Sequence, residues 1–145
     1  MPEKMTDEQR RAFLAEGTRT AVFATVRPDG RPHAVPVWFA VDGDDILVNL
    51  GADTVKGRAL KENPRVSVVV DDPLPPYSFV SVEGVAEIVT DPEEIRRGSR
   101  PIAERYLGDA GQETIDGWLA YATSPGKVLV RVRPENIVAI AKVGG

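Results

Sequence analysis

Apolar and polar residues alternate along much of this chain with a period of two, which is typical of β-strands. The first such run, at 20–27, also has apolar residues at its intervening positions, so we expect it to be buried on both faces. Turn residues such as Pro28-Asp29-Gly30 and Asp42-Gly43-Asp44 separate neighbouring runs and predict antiparallel hairpins. The runs are 20–27, 31–41, 46–50, 65–71, 78–89, 127–133 and 136–142.

Helices are predicted in the remaining segments. Thr6 and Gln9 have the spacing of a capping box, and Asp53-Thr54 provides an N-cap for a short helix. Proline at position 92 suits the start of a third helix, whereas Pro101 is expected to break it. The predicted helices cover 6–16, 55–63, 92–107 and 112–121.

These elements fit a single domain over residues 1–145 that is mainly β with flanking helices. Six or seven strands are expected, and all of them can pair antiparallel. Because so many apolar strands would expose flat edges in an open sheet, the pattern favours a closed or nearly closed barrel. Pro36 lacks an amide hydrogen, which places it at an edge or a bulge.

Composition and charge exclude several classes of function. The net charge of −4 argues against a nucleic-acid-binding protein, since contacts with phosphates supply most of that affinity. With no cysteine and one histidine, His33, neither a cysteine nucleophile nor a protein-bound metal is expected. No stretch approaches the roughly 20 apolar residues of a membrane span, and no secretory signal is recognisable. We therefore expect a cytoplasmic protein that does not bind membranes.

Several motifs resemble the split β-barrel family typified by pyridoxamine-phosphate oxidase. They are the hairpin ATVRPDGRPH at 24–33, PVWF at 36–39, Thr54-x-Lys56-x-Arg58, NPRVS at 63–67 and FVSVEGVAEI at 79–88. Within that family the chain most resembles the branch that uses the deazaflavin coenzyme F420. The resemblance covers 18–89 well, although Gly57 stands where related chains often have a larger residue.

The resemblance implies a homodimeric split barrel with two cofactor sites at the subunit interface. The cofactor would be coenzyme F420, with FMN as the alternative. Its ring would lie against the first strand after the hairpin, and its phosphate at the start of the short helix. The implied cofactor-binding residues are Val35, Pro36, Val37, Trp38, Asn49, Leu50, Gly51, Thr54, Val55, Lys56 and Arg58.

The chemistry of the residues supports part of this site independently. A helix start exposes unpaired amides, and Lys56 and Arg58 place positive charge beside one, so a phosphate is a suitable ligand. The alternative is that both belong to a solvated helix face. In a regular helix two residues at this spacing point apart, so both reach one ligand only if the first turn is irregular.

Aromatic residues provide further candidates. Trp38 is equally suited to stacking on a cofactor ring and to packing in the core or a subunit interface. Tyr106, Trp118 and Tyr121 are expected in the core or an interface. Tyr77 and Phe79 follow a proline-rich loop, and by family analogy they would line a substrate entrance.

No acid–base constellation stands out, so we assign no catalytic residue. In a cofactor-dependent enzyme the cofactor carries the chemistry, which explains this absence. The leading hypothesis is an F420-dependent oxidoreductase that transfers hydride to a small conjugated or electron-poor molecule. The alternatives are an FMN-dependent enzyme of the same fold and a non-catalytic carrier of such a cofactor.

Overall fold

Residues 1–144 are the part of the chain that this computed structural model describes, and they form eight strands, four α-helices and a short 3-10 helix. The strands are β1 (Glu3–Lys4), β2 (Ala21–Val26), β3 (Pro32–Val37), β4 (Ala40–Asp42), β5 (Asp45–Gly51), β6 (Arg65–Asp71), β7 (Phe79–Val89) and β8 (Lys127–Ala141). The helices are α1 (Asp7–Ala15), α2 (Val55–Glu62), α3 (Pro92–Leu107) and α4 (Gln112–Ala122), with the 3-10 helix at Gly108–Ala110. None of these helices is long and apolar enough to cross a bilayer.

All strands pair antiparallel in one curved sheet of order β3-β2-β6-β7-β8-β5-β4, with β1 beside the end of β8. The long strand β8 pairs with β7 over most of its length and with β5 at its first half. The order ends at β3 and β4, which do not pair with each other within residues 1–144. The predicted mainly β fold, a split antiparallel barrel with flanking helices, is therefore confirmed, with two-residue β1 as an additional strand.

The barrel interior is filled by the inward residues of alternating strands. Phe23, Val68, Val82 and Val130 are at most 2% exposed and belong to one continuous core. Burying an apolar side chain of this size contributes about 1.5–3 kcal/mol, so this core is the main source of stability. A second cluster lies outside the barrel, where α3 covers β4, β5 and β8, and consists of Ala40, Leu47, Ile95, Ile102 and Leu129.

Local signals at the ends of elements are confirmed. Thr6 and Gln9 form both hydrogen bonds of the capping box. The Thr54 side chain caps α2, and the Asp91 side chain caps α3. Gly84 lies at a register shift between β7 and β8, as expected of a bulge.

Four expectations about the elements are wrong. The strand at 20–27 is buried on one face only, since Val22 and Val26 are 42% and 38% exposed. The single strand predicted at 31–41 is divided between β3 and β4. Helix α3 continues through Pro101, whose exposed position lets water solvate the carbonyl that proline leaves unpaired. The two strands predicted at 127–142 are one, because Pro134 falls at the register shift opposite Gly84, where the ladder is already interrupted.

Candidate functional site

A cleft of about 360 Å³ lies where the ends of β3 and β5 meet the start of α2. It brings together eight of the residues that the sequence predicts for a cofactor site: Pro36, Val37, Trp38, Asn49, Leu50, Gly51, Thr54 and Lys56. The cleft is completed by four residues that were not predicted for it, from α3, α4 and β8: Ile102, Trp118, Tyr121 and Lys127. One wall is thus apolar and aromatic, and the other is polar and basic.

The polar wall is built at the start of α2. The Thr54 hydroxyl donates to the Gly51 carbonyl at 2.7 Å and accepts from the Gly57 amide at 3.2 Å. The first amides of an α-helix have no acceptor within the helix, and they carry the positive end of its dipole. This cap therefore holds the helix start against the end of β5, with those amides beside the cleft.

Gly57 permits this close approach. A Cβ atom at Gly57 would collide with the Gly51 carbonyl oxygen and come within 2.6 Å of the Ala52 carbonyl oxygen. Both neighbours are backbone atoms, which cannot turn aside. The departure from the family pattern at this position therefore has a structural reason, because only glycine lets α2 pack so tightly on the β5–α2 connection.

Positive charge is concentrated in the cleft. Lys56 and Lys127 are its only charged lining residues, and within residues 1–144 neither forms an ion pair with a carboxylate. The pKa of Lys56 is lowered, first by burial of its ammonium group and then by repulsion from Lys127. In a chain with net charge −4, an acid-free cleft with two lysines is suited to an anion.

Aromatic side chains form the opposite wall. The Trp38 and Tyr106 rings are stacked, with centroids 4.7 Å apart and planes 5° from parallel, and Trp118 lies at 6.1 Å from Trp38. The Tyr106 hydroxyl donates to the Arg19 carbonyl at 2.7 Å and accepts from the Phe39 amide at 3.2 Å. Tyr106 thus fixes the backbone between β3 and β4 and, through its ring, the orientation of Trp38.

Asn49 connects the cleft to the two long helices. Its amide nitrogen donates to the Ser99 hydroxyl at 3.2 Å and to the Ala122 carbonyl at 2.9 Å. Because Ala122 ends α4, this contact holds in place the helix that carries Trp118 and Tyr121. The side-chain oxygen of Asn49 makes no hydrogen bond within residues 1–144 and remains available to accept one.

Five predicted residues lie elsewhere in the chain. Val35 faces the opposite side of β3 from Pro36, beside Phe23 in the neighbouring strand. Val55 and Arg58 line a different groove, of about 460 Å³, on the other side of α2 with Arg27, Pro28, Asp29 and Arg31.

The two residues predicted at a substrate entrance, Tyr77 and Phe79, are also distant. Phe79 begins β7, a strand of 11 residues and roughly 35 Å whose other end pairs with β8 near the cleft. Tyr77 lies beside Val143 and Gly144, and its carbonyl accepts from the Val143 amide at 2.7 Å. Within one chain these two residues do not reach the cleft, so the predicted role requires a second subunit.

The unpredicted members of the cleft come from long-range contacts. The alternation in β8 correctly predicts that Lys127 faces outward, but its position beside α2 depends on the pairing of Lys127 with Gly51. Trp118 and Tyr121 were expected in a core or interface from their residue types. Their helical spacing indicates a shared face of α4 but not what that face contacts.

A second cleft, also of about 360 Å³, lies under the first half of α3 and differs in charge. Its lining includes carboxylates of Asp42, Glu87 and Glu94 beside guanidinium groups of Arg97 and Arg131. The Arg131 guanidinium bonds to Asp42 at 3.0 Å, so much of the charge is already compensated. The cleft beside α2 is therefore the stronger candidate for an anionic ligand.

Comparison with known proteins agrees with this architecture. The family model described as pyridoxamine 5'-phosphate oxidase matches residues 6–141. A conserved hypothetical protein from Mycobacterium tuberculosis is 30% identical with a TM-score of 0.84, and the match covers 97% of this chain and 87% of that one. An F420 reductase is 31% identical with a TM-score of 0.68, covering 87% and 94%. A putative pyridoxamine 5'-phosphate oxidase from Listeria innocua, at 24% identity and a TM-score of 0.68 over 95% and 98%, shares the fold.

Proposed function

We propose that this chain, which belongs to the pyridoxamine 5'-phosphate oxidase family, is an oxidoreductase that uses coenzyme F420. The family match confirms the resemblance that the sequence motifs indicate. The substrate would be a small conjugated or otherwise electron-poor molecule. The F420 reductase at 31% identity supports the choice of a deazaflavin over a flavin. The proposal rests on the cleft beside α2, whose residues fit such a cofactor.

The observation that supports this proposal most is the acid-free basic end of the cleft. Among residues 1–144, Lys56 and Lys127 have no carboxylate partner, and they lie next to the amides that begin α2. Charge-assisted hydrogen bonds to phosphate oxygens are about twice as strong as neutral ones. A phosphate group of the cofactor would therefore reduce the repulsion between the two lysines and also accept hydrogen bonds from the first amides of α2.

The apolar wall suits the ring of the same cofactor. Pro36 and Val37 present an edge strand without charge, and Trp38 is held at a defined angle by Tyr106. A planar ring placed there would be shielded from water on one face, and the free oxygen of Asn49 could accept a hydrogen bond from it. When bound, coenzyme F420 supplies the hydride, and the protein supplies position and electrostatics.

We also propose that the protein is a homodimer, from the face of the sheet that the helices leave open. Paired residues from five adjacent strands form an uncharged row across β3, β2, β6, β7 and β8: Pro36, Val22, Val69, Ser81 and Val138. Val22 and Val138 are 42% and 43% exposed. Val69 and Ser81 between them are half-buried, so the row is a continuous, uncharged and largely apolar surface. Apolar surfaces of this kind are typical of subunit interfaces. Pro36 lines both this face and the cleft, so a second copy on the face would border the cofactor site.

Substitution tests the dimer directly. Val22→Asp places a charge within the row, and we expect it to convert the dimer to a monomer in sedimentation velocity. Leu74→Asp is the matched control, since Leu74 is 67% exposed but lies in the loop before β7. A wild-type protein that sediments as a monomer, or equal behaviour of both variants, would contradict this interface.

Titration with both coenzymes tests the choice of cofactor. We expect the purified protein to quench the fluorescence of added F420 with a saturable isotherm and to bind FMN far more weakly. A protein that is yellow as purified and retains FMN would instead support the FMN-dependent alternative. If the protein binds neither compound, the cofactor assignment is wrong, and only the fold assignment stands.

Turnover separates the enzyme from a carrier. Reduced F420 is mixed with activated enones, quinones and nitroaromatics, and its oxidation is followed by absorbance. We expect at least one class of acceptor to be reduced faster than in the protein-free control. Tight binding of F420 with no acceleration for any acceptor would favour the non-catalytic carrier.

A further inference from the structure

Tyr121 and Lys127 make an exposed contact at the cleft. The Lys127 ammonium donates to the Tyr121 phenol oxygen at 2.7 Å and lies 4.2 Å from the centre of its ring. Tyr121 is 57% exposed, at the end of α4, whereas Lys127 begins β8. The same ammonium lies 4.0 Å from where a Cβ of Gly51 would be, which places it beside the start of α2.

The hydroxyl groups of Tyr106, which stacks on Trp38, and of Tyr121, which lines the cleft, form different hydrogen bonds. The Tyr106 hydroxyl accepts one backbone hydrogen bond and donates another, so its hydrogen is not available to a ligand. The Tyr121 oxygen accepts from Lys127, but its own hydrogen has no acceptor within residues 1–144. Within the described part of the chain, this phenol hydrogen is therefore a donor without an acceptor, next to two ammonium groups that form no ion pair with a carboxylate.

We propose that Tyr121, Lys127 and Lys56 form a three-donor site for a phosphate group, with Tyr121 donating its phenol hydrogen and orienting the Lys127 ammonium. This inference rests on the cleft of the proposed function, but it adds Tyr121 and Lys127, which neither the family motif nor the sequence pattern indicates as ligands. The three donors come from α4, β8 and α2, so the site exists only in the folded protein. A tetrahedral phosphate offers enough oxygens to accept from all three.

The proposal predicts how anion binding depends on pH. The pKa of Tyr121 is lowered, chiefly by the hydrogen bond from Lys127 and also by the charges of Lys127 and Lys56, the two charged groups that face it. Loss of the phenol proton removes a donor and adds a negative charge, so phosphate affinity should fall as pH rises through this lowered pKa. Conversely, bound phosphate should raise the pKa of Tyr121, because an anion disfavours the phenolate.

Two measurements with inorganic phosphate test the site in the full-length protein. Calorimetric titration compares wild type with Tyr121→Phe and Lys127→Gln, each of which should weaken phosphate binding about tenfold. Lys61→Gln is the control, because Lys61 is an exposed lysine of α2 outside the cleft, and its affinity should match wild type. Alkaline titration of tyrosine absorbance near 295 nm should show one tyrosine whose pKa rises with phosphate, and Tyr121→Phe should abolish that change.

The possible results separate this proposal from the cofactor assignment. Unchanged phosphate affinity in both variants, or a tyrosine titration that phosphate does not move, would overturn the three-donor site even if F420 binds. The expected phosphate results together with no binding of F420 or FMN would keep the site and overturn the cofactor. The wild-type absorbance measurement needs no substitution, so a misfolded variant does not prevent a decision.

Discussion

Lys56→Met is expected to weaken F420 binding by about 10- to 100-fold, because a charge-assisted hydrogen bond contributes about 1.5–3 kcal/mol. The ligand-free protein should meanwhile become more stable. The pKa of Lys56 is lowered by burial and by Lys127, which means that the fold disfavours its charged form. Methionine removes that charge and retains the apolar stem. Thermal unfolding of the apo protein and fluorescence titration with F420 measure the two effects.

The pH dependence of this stabilisation follows from the sign of the shift. Below the lowered pKa, Lys56 is charged in both the folded and the unfolded chain, so the wild type bears the full cost of its charge. As pH rises through that pKa and toward 10.5, the ordinary value, the cost disappears. The advantage of the variant should therefore be largest at neutral pH and vanish in strong alkali.

Lys61→Met is the matched control for Lys56→Met. Lys61 lies on the same helix, is exposed and does not line the cleft. We expect no change in F420 affinity for this control variant. Equal affinities for wild type and Lys56→Met would exclude Lys56 from the binding site.

Gly57→Ala adds only one methyl group, yet we expect it to destabilise the folded structure strongly. The added methyl group would overlap the Gly51 carbonyl oxygen and crowd that of Ala52, so α2 must move away from the end of β5. Overpacking of this kind typically costs about 1–3 kcal/mol. Because Thr54 and Lys56 move with the helix, F420 affinity should fall as well. Chemical denaturation and cofactor titration of the same preparation measure both effects.

Gly117→Ala provides the comparison. Gly117 lies within α4, and a Cβ atom there would meet no atom within 4 Å. Alanine in place of glycine within a helix stabilises it by about 0.5–1 kcal/mol, so the two substitutions should have opposite signs. If Gly57→Ala also stabilised the protein, α2 could not lie as close to the β5–α2 connection as the structure places it.

Short-range patterns predict the local parts of this fold. The caps at Thr6, Thr54 and Asp91 each depend on residues within a few positions, and the structure has all three. Alternation likewise identifies the strands, although it assigns two buried faces to β2, where Val22 is in fact exposed. A periodic pattern shows which residues share a face, but it does not show whether another element covers that face.

Short-range sequence patterns predict only part of the candidate site. The motif from Thr54 to Arg58 is contiguous, and it indicates a basic helix start. The structure places Lys56 in the cleft and turns Arg58 into a neighbouring groove, because residues two apart in a regular helix point in different directions. Local geometry therefore separates two cations that the motif groups together.

The amino-acid sequence by itself determined the family, the antiparallel β-architecture and the charged, capped start of α2, since these depend on composition and on neighbours in the chain. Only the tertiary structure decided that Lys127 and Tyr121 join Lys56, that Trp38 stacks on Tyr106, and that Tyr77 lies far away. The pairing of β5 with β8 brings Gly51 opposite Lys127, and its register is set by which side chains fill the barrel. This register therefore depends on the packing of the whole core and is not encoded in any one segment.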